Sequence, residues 1–182
     1  MAYKGIGASP GVALGKALVV EHSELVIEKK SIDNVEAEIA KLEDAVAVSK
    51  EELVKVKEKA SEELGAEEAE IFEAHLLVLE DPELIGSAID KIKTESVNAE
   101  YALNEIKEMF VSMFESMDNE YMKERAADIK DVTNRILRHI LGIKVVDLSA
   151  LSEEVVLIAH DLTPSDTATM NKKMVLGFLT DI

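Results

Sequence analysis

The sequence predicts a mainly α protein with a minor α/β part, in which a helical domain of residues 33–143 is inserted into an α/β domain of residues 1–20 and 145–182. Two observations lead to this prediction. From residue 33 to Gly142, apolar residues recur at helical spacing in successive segments. Before and after this block the chain instead carries short apolar and β-branched runs, which are typical of strands.

The first twenty residues are rich in glycine, which occurs at positions 5, 7, 11 and 15 around Ser9-Pro10-Gly11. An apolar run at residues 17–20 follows, so this region is predicted to form strand, turn and strand. It matches neither a nucleotide phosphate loop nor a dinucleotide fingerprint, because no Gly-Lys-Ser/Thr or Gly-x-Gly-x-x-Gly follows a strand. The glycines are therefore interpreted as turn residues.

One long helix is predicted from Asp33 until Gly65 breaks it. Its seam residues recur at alternating steps of four and three: Val35, Ile39, Leu42, Val46, Ser49, Leu53, Val56 and Ala60. At about 1.5 Å per residue such a helix extends on the order of 40–45 Å. An isolated helix of this kind is not stable in water, so partner helices along its length are expected.

Four more helical segments are predicted after Gly65. The second begins among Glu67, Glu68 and Glu70, with Ile71, Phe72, His75, Leu76 and Leu79 on its apolar side. The third starts at Asp81-Pro82, a cap residue followed by a first-turn proline, and carries Leu84, Ile85, Ala88, Ile89 and Ile92. The fourth begins near Asn98 and is expected to bury Leu103, Ile106, Phe110, Met113 and Met117. After a polar turn at residues 118–121, the last helix buries Ile129, Val132, Ile136 and Ile140 and ends at Gly142.

The pattern changes again after Gly142. Val145-Val146 and residues 155–159 are β-branched runs, Thr163-Pro164-Ser165-Asp166 is typical of a helix start, and residues 174–180 are predicted as a strand. The order is that of a β-α-β unit.

Composition limits the classes of function. With 20 Lys and Arg against 37 Asp and Glu, the formal charge is −17, so nucleic acid and anionic lipid are not expected partners. A basic protein would be attracted if the acidic residues gather on one surface. No uninterrupted apolar stretch is long enough for a membrane span, and no secretion signal is recognised at the N-terminus. The absence of cysteine excludes disulfides and thiolate chemistry, and a cytoplasmic location is expected.

Several separated segments together resemble the Enzyme I family of the bacterial phosphoenolpyruvate:sugar phosphotransferase system. They agree with it in order and spacing, and they are residues 5–13 (GIGASPGVA), 71–75 (IFEAH), 79–82 (LEDP), 124–131 (ERAADIKD) and 161–165 (DLTPS). The resemblance implies the N-terminal half of Enzyme I, in which a four-helix domain that binds the carrier protein HPr is inserted into a swivelling α/β phosphohistidine domain. It also implies a C-terminal barrel that binds phosphoenolpyruvate and Mg²⁺ and forms a homodimer.

The resemblance places the phosphorylated histidine in a Gly-Gly-x-Thr-Ser-His motif just after a strand similar to residues 175–181, and the sequence stops at Ile182. None of His22, His75, His139 and His160 occupies that motif, so no catalytic residue is assigned. The 182-residue chain is accordingly expected to be inactive in phosphotransfer by itself, to hold no cofactor or metal, and to be a monomer.

Matched motif by motif, the family's HPr-binding residues correspond to Glu67, Leu77, Val78, Glu83, Tyr121, Met122 and Arg125. The resemblance implies an apolar centre of Leu77, Val78, Tyr121 and Met122 with acidic residues at its edge. The whole acidic set is Glu67, Glu68, Glu70, Glu73, Glu80, Asp81 and Glu83. Without the resemblance, such a run is interpreted as a solvated helix face.

Alternatives to HPr binding remain at this stage. The heptad seam is also compatible with a structural bundle that self-associates without phosphotransfer chemistry, and a phosphotransferase using one of the four histidines ranks last. His75, in an apolar stretch, is interpreted as a packed core histidine, although a role in positioning the α/β domain is also considered. A di-metal bundle is not supported, because repeated Glu-x-x-His patterns are missing.

Overall fold

The computed structural model describes residues 5–20, 25–63, 65–143 and 146–181. These residues form two compact units. One contains the described residues up to 20 together with those from 146 onward, and the other contains the described residues between them.

Five helices make up the second unit, the helical unit: α1 (Val35–Glu63), α2 (Ala66–Leu79), α3 (Pro82–Glu95), α4 (Ala99–Glu115) and α5 (Glu120–Leu141). The resemblance implies four helices, whereas the residue pattern predicted five segments. The division between α2 and α3 follows from Asp81 and Pro82. Asp81 accepts a hydrogen bond from the Glu83 backbone N–H at 2.8 Å, and Pro82 takes the first helical position, where no N–H is needed.

Helix α1 buries the seam predicted for it, mainly against α2 and α5. Leu42, Ser49, Leu53, Val56 and Ala60 are buried, and Val35, Ile39 and Val46 are half-buried. The Ser49 hydroxyl donates to the Ala45 carbonyl one turn earlier, so this polar seam residue is satisfied within its own helix. The partners that a helix of this length requires are therefore supplied by its own unit.

Helix α5 has the face and the C-terminal end that its sequence predicted, and it begins at Glu120, within the predicted polar turn. Ile129, Val132, Ile136 and Ile140 are buried. Gly142 terminates the helix with φ of 65°, a left-handed conformation in which glycine has no Cβ to clash. At the other end the Asn119 side chain accepts a hydrogen bond from the Tyr121 N–H at 3.0 Å.

Helix α4 confirms the prediction only in part: Leu103 is buried and Ile106 and Phe110 are half-buried, but the C-terminal methionines face solvent. Leu103, Lys107 and Val111 are buried at steps of four, and Met113 and Met117 are exposed. With about 100° per residue, Met113 lies roughly 200° around the helix from Val111. The prediction was wrong for Met113 and Met117 because the buried face contains a lysine instead, whose aliphatic stem packs while its Nζ lies 3.1 Å from Glu108 Oε1 at the edge.

The start of α4 is held by α1 and by the segment before it. Glu38 Oε2 accepts a hydrogen bond from the Ala99 N–H at 2.8 Å, and the Asn98 side chain bonds to the backbone of Glu28 and Lys30. Next to this cap, Lys41 Nζ lies 3.0 Å from Glu100 Oε2. Burial raises the pKa of Glu100, but hydrogen bonds from the Asn98 side chain, its own backbone and Lys41 outweigh burial and hold the pKa below its ordinary value of 4.5.

We expect Glu100→Gln to make the helical unit less sensitive to acid. Because the pKa of Glu100 is depressed in the folded state, its contribution is complete above pH 4.5 and is lost as pH falls through the folded-state pKa. At pH 7 the substitution should lower the free energy of unfolding by about 1 kcal/mol. Urea unfolding at pH 7 and pH 3, followed by circular dichroism, measures both effects. Glu105→Gln, exposed on the same helix, is the control, and equal pH dependence in the two variants would contradict the assignment.

The first unit, the α/β unit, contains a three-stranded parallel sheet in the order β1 (Lys16–Val20), β2 (Val155–Ala159) and β3 (Val175–Leu179). Helix α6 (Pro164–Thr169) connects β2 to β3, as the β-α-β pattern predicted. It begins with a capping box, in which Thr163 Oγ1 accepts from the Asp166 N–H and Asp166 Oδ2 accepts from the Thr163 N–H. The core of this unit consists of Val20, Leu148, Val155, Leu157, Ala159 and Met170.

Two strand predictions in this unit were wrong. Residues 5–15 form no strand, and their apolar side chains Ile6, Val12 and Leu14 are almost fully exposed. A strand needs a neighbour to satisfy its backbone, and β1 begins only where Lys16 reaches its partner Val155. Val146 is also outside any strand, and Val145 lies outside the described residues.

Candidate functional site

An apolar groove opens on the helical unit where α2, α3, α4 and α5 meet. It encloses about 330 Å³. The lining residues are Leu77, Val78, Asp81, Leu84, Phe110, Phe114, Tyr121, Met122, Arg125 and Ile129. We call this feature the apolar groove. Its floor is continuous with the core, because Val78, Phe110 and Phe114 pack against the buried cluster of Val111, Ala126 and Ile129.

Five of the seven residues that the resemblance assigned to HPr binding line the apolar groove. Leu77 and Val78 come from the last turn of α2, and Tyr121, Met122 and Arg125 come from the first two turns of α5. These two segments are separated by more than forty residues in the sequence. Folding brings them to opposite sides of one concave surface, a form typical of sites that accept a partner's side chains.

The other two residues, Glu67 and Glu83, do not line the apolar groove. Glu83 is exposed in the first turn of α3, two residues from Asp81, which does line it. Glu67 is exposed in the first turn of α2, at the opposite end of that helix from Leu77. Acids in these first turns are stabilised by the helix dipole, so their position has a structural reason as well.

Four apolar lining residues were not assigned to the site from the sequence: Leu84, Phe110, Phe114 and Ile129. Leu84, Phe110 and Ile129 were predicted as core residues. The phenylalanines lie at i and i+4 on α4 and are only half-buried, so their rings both close the core and form part of the groove. Helical spacing predicts that they share a face, but it does not show that this face remains partly open.

Arg125 forms the polar edge of the apolar groove. Its Nε and Nη2 donate to the Tyr121 hydroxyl at 3.1 and 2.7 Å, and its guanidinium lies 5.1 Å from the Tyr121 ring centroid. On the other side, its Nη1 lies 3.6 Å from Asp128 Oδ2. The guanidinium is thus held between an aromatic hydroxyl and a carboxylate while part of it faces the groove.

Two members of the acidic run face α1. Glu73 is paired with Lys57, and Glu80 with Lys50, so both carboxylates connect α2 to α1. The side chain of Glu68 lies outside the described residues. The part of the acidic run nearest the apolar groove is therefore Asp81 and Glu83.

The histidines have different surroundings. His75 is buried on α2 between Asp128 and Asp131, His139 lies 3.0 Å from Glu52 Oε2, and exposed His160 is paired with Asp181 after the strand ends of the α/β unit. His22 lies outside the described residues.

Across residues 5–20, 25–63, 65–143 and 146–181, no group of three histidine, aspartate or glutamate side chains is placed to hold a metal ion. Within the same ranges, no helix combines the length and the apolar character needed to cross a membrane.

Comparison with known proteins first identifies the class of protein to which the chain belongs. The family model described as "PEP-utilising enzyme, N-terminal" matches residues 4–125, which is more than half of the chain. Two similar proteins, both named phosphoenolpyruvate-protein phosphotransferase, come from Priestia megaterium and Bacillus subtilis. They are 62% and 59% identical to 98% of this chain. The chain spans 31% of the length of each of these relatives.

A solved structure narrows the class further. A solution NMR structure of Enzyme I (nEIt) shares 54% identity with a TM-score of 0.87, over 96% of this chain and 71% of that one. The chain therefore belongs to the family of phosphoenolpyruvate-utilising enzymes, as the N-terminal part of an Enzyme I. A structure of the N-terminal domain of Enzyme 1 - Nitrogen, at 23% identity and a TM-score of 0.71, shares the fold.

Proposed function

We propose that this chain is the part of an Enzyme I that docks HPr, and that the full-length protein transfers a phosphoryl group from phosphoenolpyruvate to HPr in cytoplasmic sugar uptake. The relatives' name, phosphoenolpyruvate-protein phosphotransferase, describes an enzyme whose phosphoryl acceptor is a protein. Such an enzyme needs a surface that binds its acceptor. The apolar groove has the properties required of that surface.

The observation that carries the proposal is the exposure of large apolar side chains around a concave site. Leu77 is 60% exposed and Tyr121 is 54% exposed, and they lie on two different helices that border the same groove. Single exposed apolar residues are common on protein surfaces, but a grouped set that borders a cavity is typical of an interaction site. Burial of these residues by a partner supplies the apolar centre of an interface.

Charge defines the partner's chemistry. The chain carries a formal charge of −17, and Asp81 and Glu83 lie at or beside the apolar groove. A basic protein surface is attracted over the Debye length and is oriented by acids at the edge of the site. We infer that HPr presents an apolar patch surrounded by basic side chains, and that Arg125 pairs with an acceptor group on that patch.

Self-association through the α1 seam is the rival hypothesis. The residues that it requires, Leu42, Leu53, Val56 and Ala60 among them, are buried within the helical unit. A second copy would have to displace α2 and α5 in order to reach them. The arrangement of α1 thus favours docking of a separate protein at the groove over pairing of two seams.

Titration of the ¹⁵N-labelled chain with HPr tests the proposal. At low ionic strength we expect shifts of amide signals around Leu77, Val78, Phe114 and Tyr121, with few changes in the α/β unit. A basic protein of similar size and unrelated surface is the control for charge alone. The proposal is abandoned if HPr leaves these amides unmoved, or if the control protein shifts them equally.

Neutralising an edge acid should slow association without removing it. We expect Glu83→Gln to lower the association rate constant for HPr by roughly two- to fivefold at low salt, and to flatten its dependence on ionic strength. Glu67→Gln should have a smaller effect, because Glu67 lies at the other end of α2 from Leu77. Dissociation should change less, because the apolar centre is intact. Stopped-flow or surface plasmon measurements at two salt concentrations check this.

Glu58→Gln is the matched control, since it removes the same charge from an exposed position of α1. If this control reduces the rate as much as Glu83→Gln does, only the net charge of the chain matters. The assignment of Glu83 to the edge of the docking surface is then incorrect.

A further inference from the structure

We infer that His75 is a positioning residue for the docking site: through Asp128 it holds the Arg125 guanidinium at the edge of the apolar groove. This inference rests on the proposed function, since it assigns a role in partner binding. It concerns a residue that does not line the groove and that the sequence analysis interpreted as core.

A continuous polar chain connects His75 to the groove. His75 lies on α2, and its Nε2 is 3.3 Å from Asp128 Oδ1 on α5. The second oxygen of the same carboxylate, Oδ2, is 3.6 Å from Arg125 Nη1. Arg125 in turn donates twice to the Tyr121 hydroxyl, at 3.1 and 2.7 Å. Asp128 is therefore shared between a buried imidazole on one side and the guanidinium on the other.

The imidazole itself has little freedom. Its side chain is 1% exposed, and its ring meets the Phe72 ring edge-on with centroids 5.8 Å apart. Its other nitrogen, Nδ1, lies 3.5 Å from Asp131 Oδ2, and neither of these two buried atoms has a hydrogen-bond partner. The buried ring thus lies between two carboxylates, and its Nε2 is the atom that contacts Asp128.

This arrangement exceeds what core packing requires. A buried histidine needs a hydrogen-bond partner, and a backbone carbonyl or a hydroxyl would serve. Here the partner is a carboxylate that also contacts a groove residue, and it lies one turn of α5 away from Arg125. Without the imidazole, Asp128 is released to turn toward solvent or toward Arg125. Either movement changes where the guanidinium points, although no groove atom has been removed.

Double-mutant analysis separates positioning from packing. The 182-residue chain would carry His75→Leu, Arg125→Ala or both, and HPr affinity would be measured by isothermal titration calorimetry. If His75 acts through Arg125, His75→Leu weakens binding by roughly five- to tenfold with Arg125 present, and by less than about twofold when Arg125 is already alanine. His75→Gln retains a donor near the Nε2 position and should restore most of the lost affinity.

The effect of His75 on the position of Arg125 can also be measured by NMR in the absence of HPr. In the free chain, the Arg125 Nε–H signal should move in His75→Leu and return toward its original position in His75→Gln. Thr133→Val is the control for destabilisation alone. It removes a fully buried hydroxyl of α5 that donates to the Ile129 carbonyl. This hydroxyl takes no part in the series of polar contacts that runs from His75 to Tyr121.

The outcomes are distinct. Equal loss of affinity in both Arg125 backgrounds, an unmoved Arg125 signal, or equal effects of Thr133→Val overturns the positioning role and leaves His75 as a core residue. If the unmodified chain does not bind HPr, the proposed function fails. The Arg125 signal in the free chain then still decides whether His75 holds the guanidinium.

Discussion

Replacing Leu77 by alanine is expected to weaken HPr binding by about 10- to 100-fold, because central apolar residues supply most of the energy of such interfaces. The side chain is 60% exposed and borders the apolar groove, so its removal takes little from the folded state. Alanine is also favourable within α2. The free energy of unfolding should therefore change by less than about 0.5 kcal/mol. Calorimetry with HPr and urea unfolding give the two values.

Met109→Ala is the matched control for Leu77. Met109 is also a large apolar residue more than half exposed on a helix, but it does not line the groove. We expect its replacement to leave HPr affinity within about twofold of the original value. If Met109→Ala and Leu77→Ala weaken binding equally, general apolar exposure governs association, and the groove has no special role.

Replacing Phe72 by alanine should strongly lower the free energy of unfolding, in contrast to the small change expected for Leu77→Ala. Phe72 is 1% exposed and is the largest fully buried side chain of the helical unit, next to His75. Truncation leaves a cavity in a close-packed interior, for which a cost of about 3–5 kcal/mol in the free energy of unfolding is expected. Urea unfolding monitored by the helical circular dichroism signal measures it.

Ile71→Ala provides the comparison at the adjacent position. Ile71 is partly exposed, so its truncation should cost about 1 kcal/mol or less. A cost for Phe72→Ala as small as that for Ile71→Ala would mean that the core relaxes around the missing ring. The tight packing inferred around His75 would then be incorrect.

These two predictions separate the residues that bind from those that hold the fold. Leu77 and Phe72 lie five residues apart on the same helix, yet one faces the groove and the other the core. Helical spacing placed Phe72 on the apolar side of α2 and did not include Leu77 there. The proposal that Leu77 binds HPr came from the resemblance, because periodicity reports only which residues avoid water.

Local chemistry was enough to predict where many elements begin and end. Asp81-Pro82 starts α3, Thr163 starts α6 and Gly142 ends α5, because caps, prolines and glycines act on the backbone within one turn. The seam of α1 and the face of α5 were also predictable, since each repeats apolar residues at helical spacing. The strand predicted within residues 5–15 was wrong, because a strand forms only against a neighbour and this segment has none among the described residues.

The sequence by itself determined the mainly α class, the β-α-β segment and, by resemblance, five residues that line one groove. Only the tertiary structure decided that α4 buries Lys107 and exposes Met113, that Phe110 and Phe114 close the groove, and that Asp128 joins His75 to Arg125. Helix caps and periodicity act between neighbours along the chain and can be read from it. The contacts between helix faces, and the carboxylate that contacts a buried imidazole, cannot be predicted in this way. They depend on helices that are distant in sequence and become neighbours only when the core packs.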